Sequence, residues 1–221
     1  MKYEIVLGEL VVKVEKKRIK NMYIKLKENG DILVTAPLMA TSYQIEEMLM
    51  LKKEWIKKHR KNSVPKEFIT GENIQVWGKT YTLIVEEALK NEVILENNNL
   101  LLRVKDLSRR EEVLNNWYRE ILKKRLVVVS KSCEMNLGIR ASEWRIKNMK
   151  TKWGSCNTSK KRIWINLQMA KKPPECLEYL VTHELTHLYE HSHNYRFKAL
   201  MDGYYPNWRM VRKILNEKIE I

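Results

Sequence analysis

A helical segment in the last quarter of the 221-residue chain places the strictest limit on the fold. It contains His183-Glu184-Leu185-Thr186-His187, which has the pattern His-Glu-x-x-His. Residues four apart on an α-helix share a face, with Cβ atoms about 5–6 Å apart, so His183 and His187 can bind one metal ion. Glu184 lies about 100° around the helix from His183. From there it can reach a water molecule without being a ligand.

The alternative interpretation of this pattern is an amphipathic helix that carries two surface histidines. The apolar residues around the motif argue against it, because they indicate a helix that is largely buried. Two imidazoles and a carboxylate in such a helix would be costly without partners. We therefore predict a zinc ion (Zn2+) bound by the two histidines, with Glu184 as the catalytic general base. The apolar residues are Leu177, Leu180, Val181, Leu185 and Leu188.

A third ligand completes a hydrolytic zinc site, in which one position stays open for water. His193 follows His187 by six residues, and the polar segment 190–192 between them could end the helix and turn the chain back. We therefore predict His193 as the third ligand. His191 is the local alternative. Asp202 or Glu217 could instead supply a carboxylate from a later helix.

The first 107 residues form a β-rich region. Apolar and polar residues alternate with a period of two, which is typical of strands with one buried face. Asn29-Gly30-Asp31 is a hairpin signal. One helix is expected at about residues 41–60, with Thr41 and Gln44 placed for a capping box. Further strands are expected between residues 74 and 104.

From residue 108 the apolar residues recur at helical spacing. Ser108 with Glu111 predicts a capping box at the start of this helix. A long helix, two strands joined by a turn at residues 153–157, the motif helix and two closing helices should follow. Pro173-Pro174 marks the start of the motif helix. We therefore predict an α+β fold with a β-rich region at 1–107 and a catalytic domain at 108–221. A strand beside the turn would offer an edge to an extended peptide.

The composition limits which cellular environment and which binding partners suit this chain. The net charge of +15 favours polyanions such as nucleic acid, nucleotides or acidic membrane surfaces, although a solvated basic surface explains it equally well. Three cysteines without a C-x-x-C pair make a disulfide framework improbable. No apolar run approaches the ~18 residues that span a bilayer, and nothing reads as a signal peptide. These features together predict a cytoplasmic protein with no membrane span.

Several motifs resemble the YgjP-like metallopeptidase family. Trp153-Gly154-Ser155-Cys156, His183–Leu188, His193 and Phe197 match its pattern in order and spacing. The resemblance implies a zincin-like core, cleavage of peptide bonds, His183, His187 and His193 as zinc ligands, and Glu184 as the catalyst. Related SprT-like proteins act on DNA-bound proteins, which would suit a basic surface. Ser192 and Lys198 depart from the family, which often has Asn and Trp at these positions.

Three functions remain in competition. The leading prediction is a zinc-dependent metallopeptidase. A metal-dependent nucleotide phosphohydrolase would use the same site, with nearby cations holding phosphate. A basic nucleic-acid-binding protein with a structural zinc would fill all four metal positions with protein ligands. Separately, Cys156 could be a fourth ligand or a switch that occupies the open position through its thiolate, although a packing role suits that cysteine better. The nearby cations are Arg145, Lys147, Lys150, Lys152, Lys160, Lys161 and Arg162.

Overall fold

The computed structural model describes residues 2–8, 10–26, 31–61 and 67–217. Within these residues it contains six α-helices and three β-sheets, which confirms the predicted α+β class. The chain separates into two compact units between Glu67 and Phe68. No helix in the described ranges is both long and apolar enough to cross a membrane. The cytoplasmic location stays a prediction.

The first unit is one four-stranded sheet with two helices. Strands β1 (Lys2–Leu7), β2 (Leu10–Lys17), β3 (Tyr23–Leu26) and β4 (Ile32–Pro37) lie in the order β1-β2-β4-β3. The β2–β4 pair is parallel and the outer pairs are antiparallel. Strands β3 and β4 pair as the hairpin signal predicts, whereas its residues Asn29-Gly30 lie outside the described residues.

The predicted single helix at 41–60 is two helices, α1 (Ser42–Leu51) and α2 (Lys53–Lys61). The capping box is confirmed, because Gln44 N donates to Thr41 Oγ1 at 3.2 Å and Thr41 N donates to Gln44 Oε1 at 3.0 Å. The helices are separated at Lys52, where φ is −103° and ψ is 7°. Alternate residues of the sheet pack with the helices in one core: Ile5, Leu10, Val12, Val14, Ile32, Val34, Ala36, Ile45, Leu49 and Ile56.

The second unit begins with a four-stranded sheet. Strands β5 (Asn73–Val76), β6 (Lys79–Glu87), β7 (Glu92–Glu96) and β8 (Asn99–Val104) lie in the order β5-β6-β8-β7, with β6 and β8 parallel. The unit continues through α3 (Arg110–Leu137), α4 (Pro174–Thr186), α5 (Tyr195–Tyr204) and α6 (Trp208–Asn216). A second sheet lies between α3 and α4 in the chain, with β9 (Glu143–Lys147), β10 (Gly154–Asn157) and β11 (Arg162–Asn166).

The division between Glu67 and Phe68 differs from the predicted boundary at residues 107 and 108. The physical reason is that the sheet of β5 to β8 belongs to the same hydrophobic core as α3 and α4. The turn between β5 and β6 is also hydrogen-bonded to the segment that precedes α4. Trp77 N donates to Ala170 O at 2.8 Å, and Gly78 N donates to Lys171 O at 3.1 Å. Separating that sheet from α3 and α4 would expose the core.

Two local expectations for the second unit are wrong. The residues predicted as a turn at 153–157 include strand β10, which pairs antiparallel with β11, while β9 pairs with β11 in parallel. The expected capping box at Ser108 is replaced by Asp106, whose Oδ1 accepts from Ser108 N at 2.8 Å at the start of a 3-10 helix. Strand β10 forms because its backbone pairs with β11. At the start of the 3-10 helix, the carboxylate of Asp106 is the cap instead of Ser108.

Candidate metal centre

The site is built on α4. Pro174 is the first residue of the helix, as the Pro-Pro pair predicts, because a missing N–H costs nothing in the first turn. Leu177, Val181 and Leu185 are buried and hold one side of the helix in the core. The helix ends at Thr186, whose hydroxyl donates to Thr182 O at 2.8 Å. These contacts hold α4 in a fixed position, from which it presents His183 and His187.

A tight turn brings the third histidine back to α4. His187 keeps a right-handed helical conformation, and Tyr189 N and Glu190 N both donate to Thr186 O at 3.0 Å. The Tyr189 hydroxyl donates to Leu137 O at 2.8 Å, which fastens the turn to the end of α3. Asn194 then caps α5 by accepting from Phe197 N at 3.1 Å.

Three imidazoles converge at this point. His183, His187 and His193 each offer one nitrogen, and these nitrogens all lie within 4.8 Å of one another. The Nε2 atoms of His183 and His193 are 3.0 Å apart. The buried ring of Phe197 packs against all three, with centroid distances of 5.0, 4.7 and 4.8 Å. The structure therefore brings together the three residues predicted as ligands and supports them with an aromatic side chain.

The electrostatics of the cluster suit a metal ion. Burial, together with the charges of His187, His193 and Arg212, lowers the pKa of His183 to about 3. Burial also lowers the pKa of His187 and His193. His187 Nδ1 lies 3.2 Å from Glu190 O, which can accept a hydrogen bond from Nδ1–H and so leave the Nε2 lone pair free. Three neutral imidazoles form a donor set that zinc favours, so the residues present fit the predicted ion.

Glu184 is buried beside the cluster, with 5% of its surface exposed. Burial raises its pKa to about 8, while the charge of Lys152 acts in the opposite direction. The carboxylate lies against Gly154 of β10: a Cβ atom on Gly154 would be 2.9 Å from both Cγ and Cδ of Glu184, closer than carbon atoms pack. Only glycine leaves room for this carboxylate, which gives Gly154 a physical role in the motif.

The alternative ligands lie outside the three-histidine group. His191 is exposed. Asp202 accepts from Trp208 Nε1 at 2.7 Å and pairs with Arg209. The carbonyl oxygen of Glu217 accepts from Lys172 Nζ at 2.7 Å. None of these belongs to the group of side chains that could hold a metal ion among the described residues.

Cys156 lies half-buried on β10 rather than in a turn. Burial raises the pKa of its thiol to about 11, and the neighbouring charge of Glu184 acts in the same direction. The group of side chains that could hold a metal among the described residues does not include Cys156.

Two further residues border the cluster without having been predicted. Tyr179 is buried, and its ring centroid is 5.7 Å from that of His183. The four-residue spacing from Tyr179 to His183 would have placed it on the same face of the helix. Arg212 of α6 is exposed, and its positive charge acts on the pKa of His183, His193 and Tyr179. No sequence pattern connects Arg212 to α4.

Three converging histidines and a buried glutamate in a His-Glu-x-x-His segment are typical of metal-dependent hydrolases, and comparisons with known proteins identify the family. The YgjP-like metallopeptidase domain matches residues 20–218. The chain belongs to this family, which confirms the resemblance seen in its motifs. A search of curated proteins gives no match.

Two solved structures resemble part of the chain. The metallopeptidase zymogen abylysin of Pyrococcus abyssi is 17% identical, covers 41% of this chain and 90% of its own, and superposes with a TM-score of 0.38. The metallopeptidase zymogen jannalysin of Methanocaldococcus jannaschii is 23% identical, covers 42% of this chain and 89% of its own, and also has a TM-score of 0.38.

Proposed function

We propose that the protein is a zinc-dependent metallopeptidase, with His183, His187 and His193 as zinc ligands and Glu184 as the general base. The observation that carries this proposal is the convergence of three imidazoles next to one buried carboxylate. Membership of a metallopeptidase family supports the choice of a peptide bond as the substrate. Zinc is proposed over other metals because three nitrogen ligands suit it.

Each group in the site has a chemical task. Zinc, when bound, supplies Lewis acidity and lowers the pKa of water to about 7. Glu184 takes a proton from the attacking water as the oxygen–carbon bond forms. It then gives that proton to the amide nitrogen as the carbon–nitrogen bond breaks, so the products are a free carboxyl and a free amine. Arg212 is the cation that we propose offsets the negative charge developing on the carbonyl oxygen.

The edge of β10 is the proposed binding surface for the substrate. The strand order β10-β11-β9 leaves one side of β10 without a partner strand among the described residues. Gly154 on this strand contacts Glu184, so a peptide along the edge would pass close to the carboxylate. Backbone hydrogen bonds bind an extended peptide with little dependence on its side chains. We therefore propose an extended segment of a peptide or protein as the substrate.

The alternative functions have less support. A structural zinc needs four protein ligands, whereas the metal-binding group among the described residues has three. Of the seven cations that could hold phosphate, Arg145 and Arg162 both form ion pairs with Glu143, which weakens their part in a phosphohydrolase. The peptidase remains the function that the geometry favours.

The test compares Glu184→Gln with Glu178→Gln, an identical change at an exposed position on the same helix. Zinc-loaded proteins are incubated with fluorogenic peptides and, in parallel, with nucleoside triphosphates. Glu184→Gln should abolish peptide cleavage and still bind zinc, while Glu178→Gln should behave as wild type. His193→Ala should lower zinc affinity by at least the ~10–100-fold that loss of an outer partner costs. A Glu184→Gln enzyme with wild-type turnover, or cleavage of nucleotides alone, contradicts the proposal.

A further inference from the structure

Trp153, the residue immediately before Gly154, is held by three groups. Its carbonyl oxygen accepts from Asn166 N at 2.8 Å. Its indole Nε1 donates to Asn216 Oδ1, in the last turn of α6, at 3.2 Å. The ammonium of Lys172 lies 5.3 Å from the centroid of the indole ring, which is a cation–π distance. Backbone and side chain are therefore both restrained at the start of β10.

Lys172 joins this tryptophan to the end of α6. Only 4% of the lysine is exposed, and its Nζ donates to the carbonyl oxygen of Glu217 at 2.7 Å. A buried ammonium is costly unless it is well partnered, and burial lowers the pKa of Lys172. The carbonyl dipole at the end of the helix and the face of the indole both suit a cation. Asn216 and Lys172 thus fasten Trp153 to α6 by two separate contacts.

Asn166 fixes the loop that leads into Trp153. Its Nδ2 donates to Met149 O at 2.8 Å and to Lys152 O at 2.7 Å, while its Oδ1 accepts from Met149 N at 3.2 Å. Because the loop before Trp153 is held and Gly154 is the next residue in the chain, we expect a displacement of Trp153 to move Gly154. Gly154 lies next to Glu184, since a Cβ atom added at Gly154 would be 2.9 Å from Cγ and Cδ of that side chain.

We propose that Trp153, Lys172 and Asn216 are positioning residues that set the place of the Glu184 carboxylate through Gly154. This inference rests on the proposed function, in which Glu184 is the base. None of the three residues belongs to the metal-binding group. The end of α6 therefore governs the proton-transfer geometry while leaving zinc binding intact.

The test variant is Trp153→Phe, which removes the indole N–H donor. Its matched control is Trp144→Phe, which removes the same kind of donor elsewhere. Trp144 is also half-buried, and its Nε1 donates to Glu134 Oε1 at 2.9 Å on α3. Trp153→Phe should lower kcat by about tenfold or more, since misplacement by about 1 Å can cost ~100-fold, with zinc content unchanged. Asn216→Ala should act similarly, and Asn216→Asp, which keeps Oδ1, should restore most of kcat. Trp144→Phe should leave kcat unchanged.

Hydrogen exchange gives a second measurement that does not depend on activity. The amides of residues 154–157 should exchange faster in Trp153→Phe than in wild type and Trp144→Phe. Equal losses of kcat in the two tryptophan variants, or unchanged exchange at 154–157, overturn the proposal. An inactive wild type with faster exchange in Trp153→Phe would instead refute the proposed function and support the restraint on β10.

Discussion

Adding one methyl group at Gly154 perturbs the proposed active site without changing any charged or ligating group. The Cβ atom of Gly154→Ala would lie 2.9 Å from Cγ and Cδ of Glu184, and Oε1 is closer still. The backbone of Gly154 has no positive φ, so alanine can adopt its conformation. The steric contact with Glu184 is then the main effect of the substitution.

The magnitude follows from the size of that contact. Non-bonded carbon atoms pack at about 3.5–4.0 Å, so the carboxylate must retreat by roughly 0.6–1.1 Å. A misplacement of about 1 Å in a catalytic geometry can cost ~100-fold in rate, which is about 2.7 kcal/mol in activation free energy. The histidines are not touched, so we expect kcat to fall by about this factor while zinc affinity is unchanged.

The assay measures kcat and KM on a fluorogenic peptide, together with zinc content. Gly203→Ala is the matched control, because Gly203 lies in α5 with no atom within 4 Å of an added Cβ. It should keep full activity and gain up to about 1 kcal/mol of stability from the better helix propensity of alanine. If Gly154→Ala cleaves peptides at the wild-type rate, the close packing of Glu184 on β10 does not control catalysis.

Two further predictions concern the stability of the second unit. Tyr118→Phe removes a buried hydroxyl that donates to Gln75 O at 2.7 Å. It should lower the free energy of unfolding by about 1–3 kcal/mol in urea, whereas Tyr195→Phe at an exposed site should not, and equal stabilities would contradict this assignment. Burial raises the pKa of the Cys176 thiol to about 11 and that of the Tyr118 phenol above its usual range. The thiol of the unfolded chain loses its proton at about pH 8.5, before the buried thiol does. The contribution of Cys176 to the free energy of unfolding is therefore complete below about pH 8.5 and is lost as the pH rises towards 11. Urea titrations from about pH 8 to about pH 11 should show a shallower decline of stability for Cys176→Ala than for wild type, and parallel curves would refute the role of the thiol.

The sequence alone determined the features that depend on local spacing. The four-residue interval between His183 and His187 places them on one helix face whatever surrounds the helix. Pro174 begins α4, and Thr41 with Gln44 begins α1, because these signals act within one turn of a helix. The strands between residues 73 and 104 follow from their alternation in the same way.

Only the tertiary structure decided which distant groups meet. Gly154 and Glu184 are in contact across thirty residues of sequence, and Trp153 bonds to Asn216 across 63. The same holds for the sheet of β5 to β8, whose packing on α3 and α4 overrides the predicted boundary at residue 107. Local patterns report backbone preference and burial over a few residues. The place of a carboxylate is instead set by side-chain packing between elements that are far apart in the chain, and no local pattern encodes that packing.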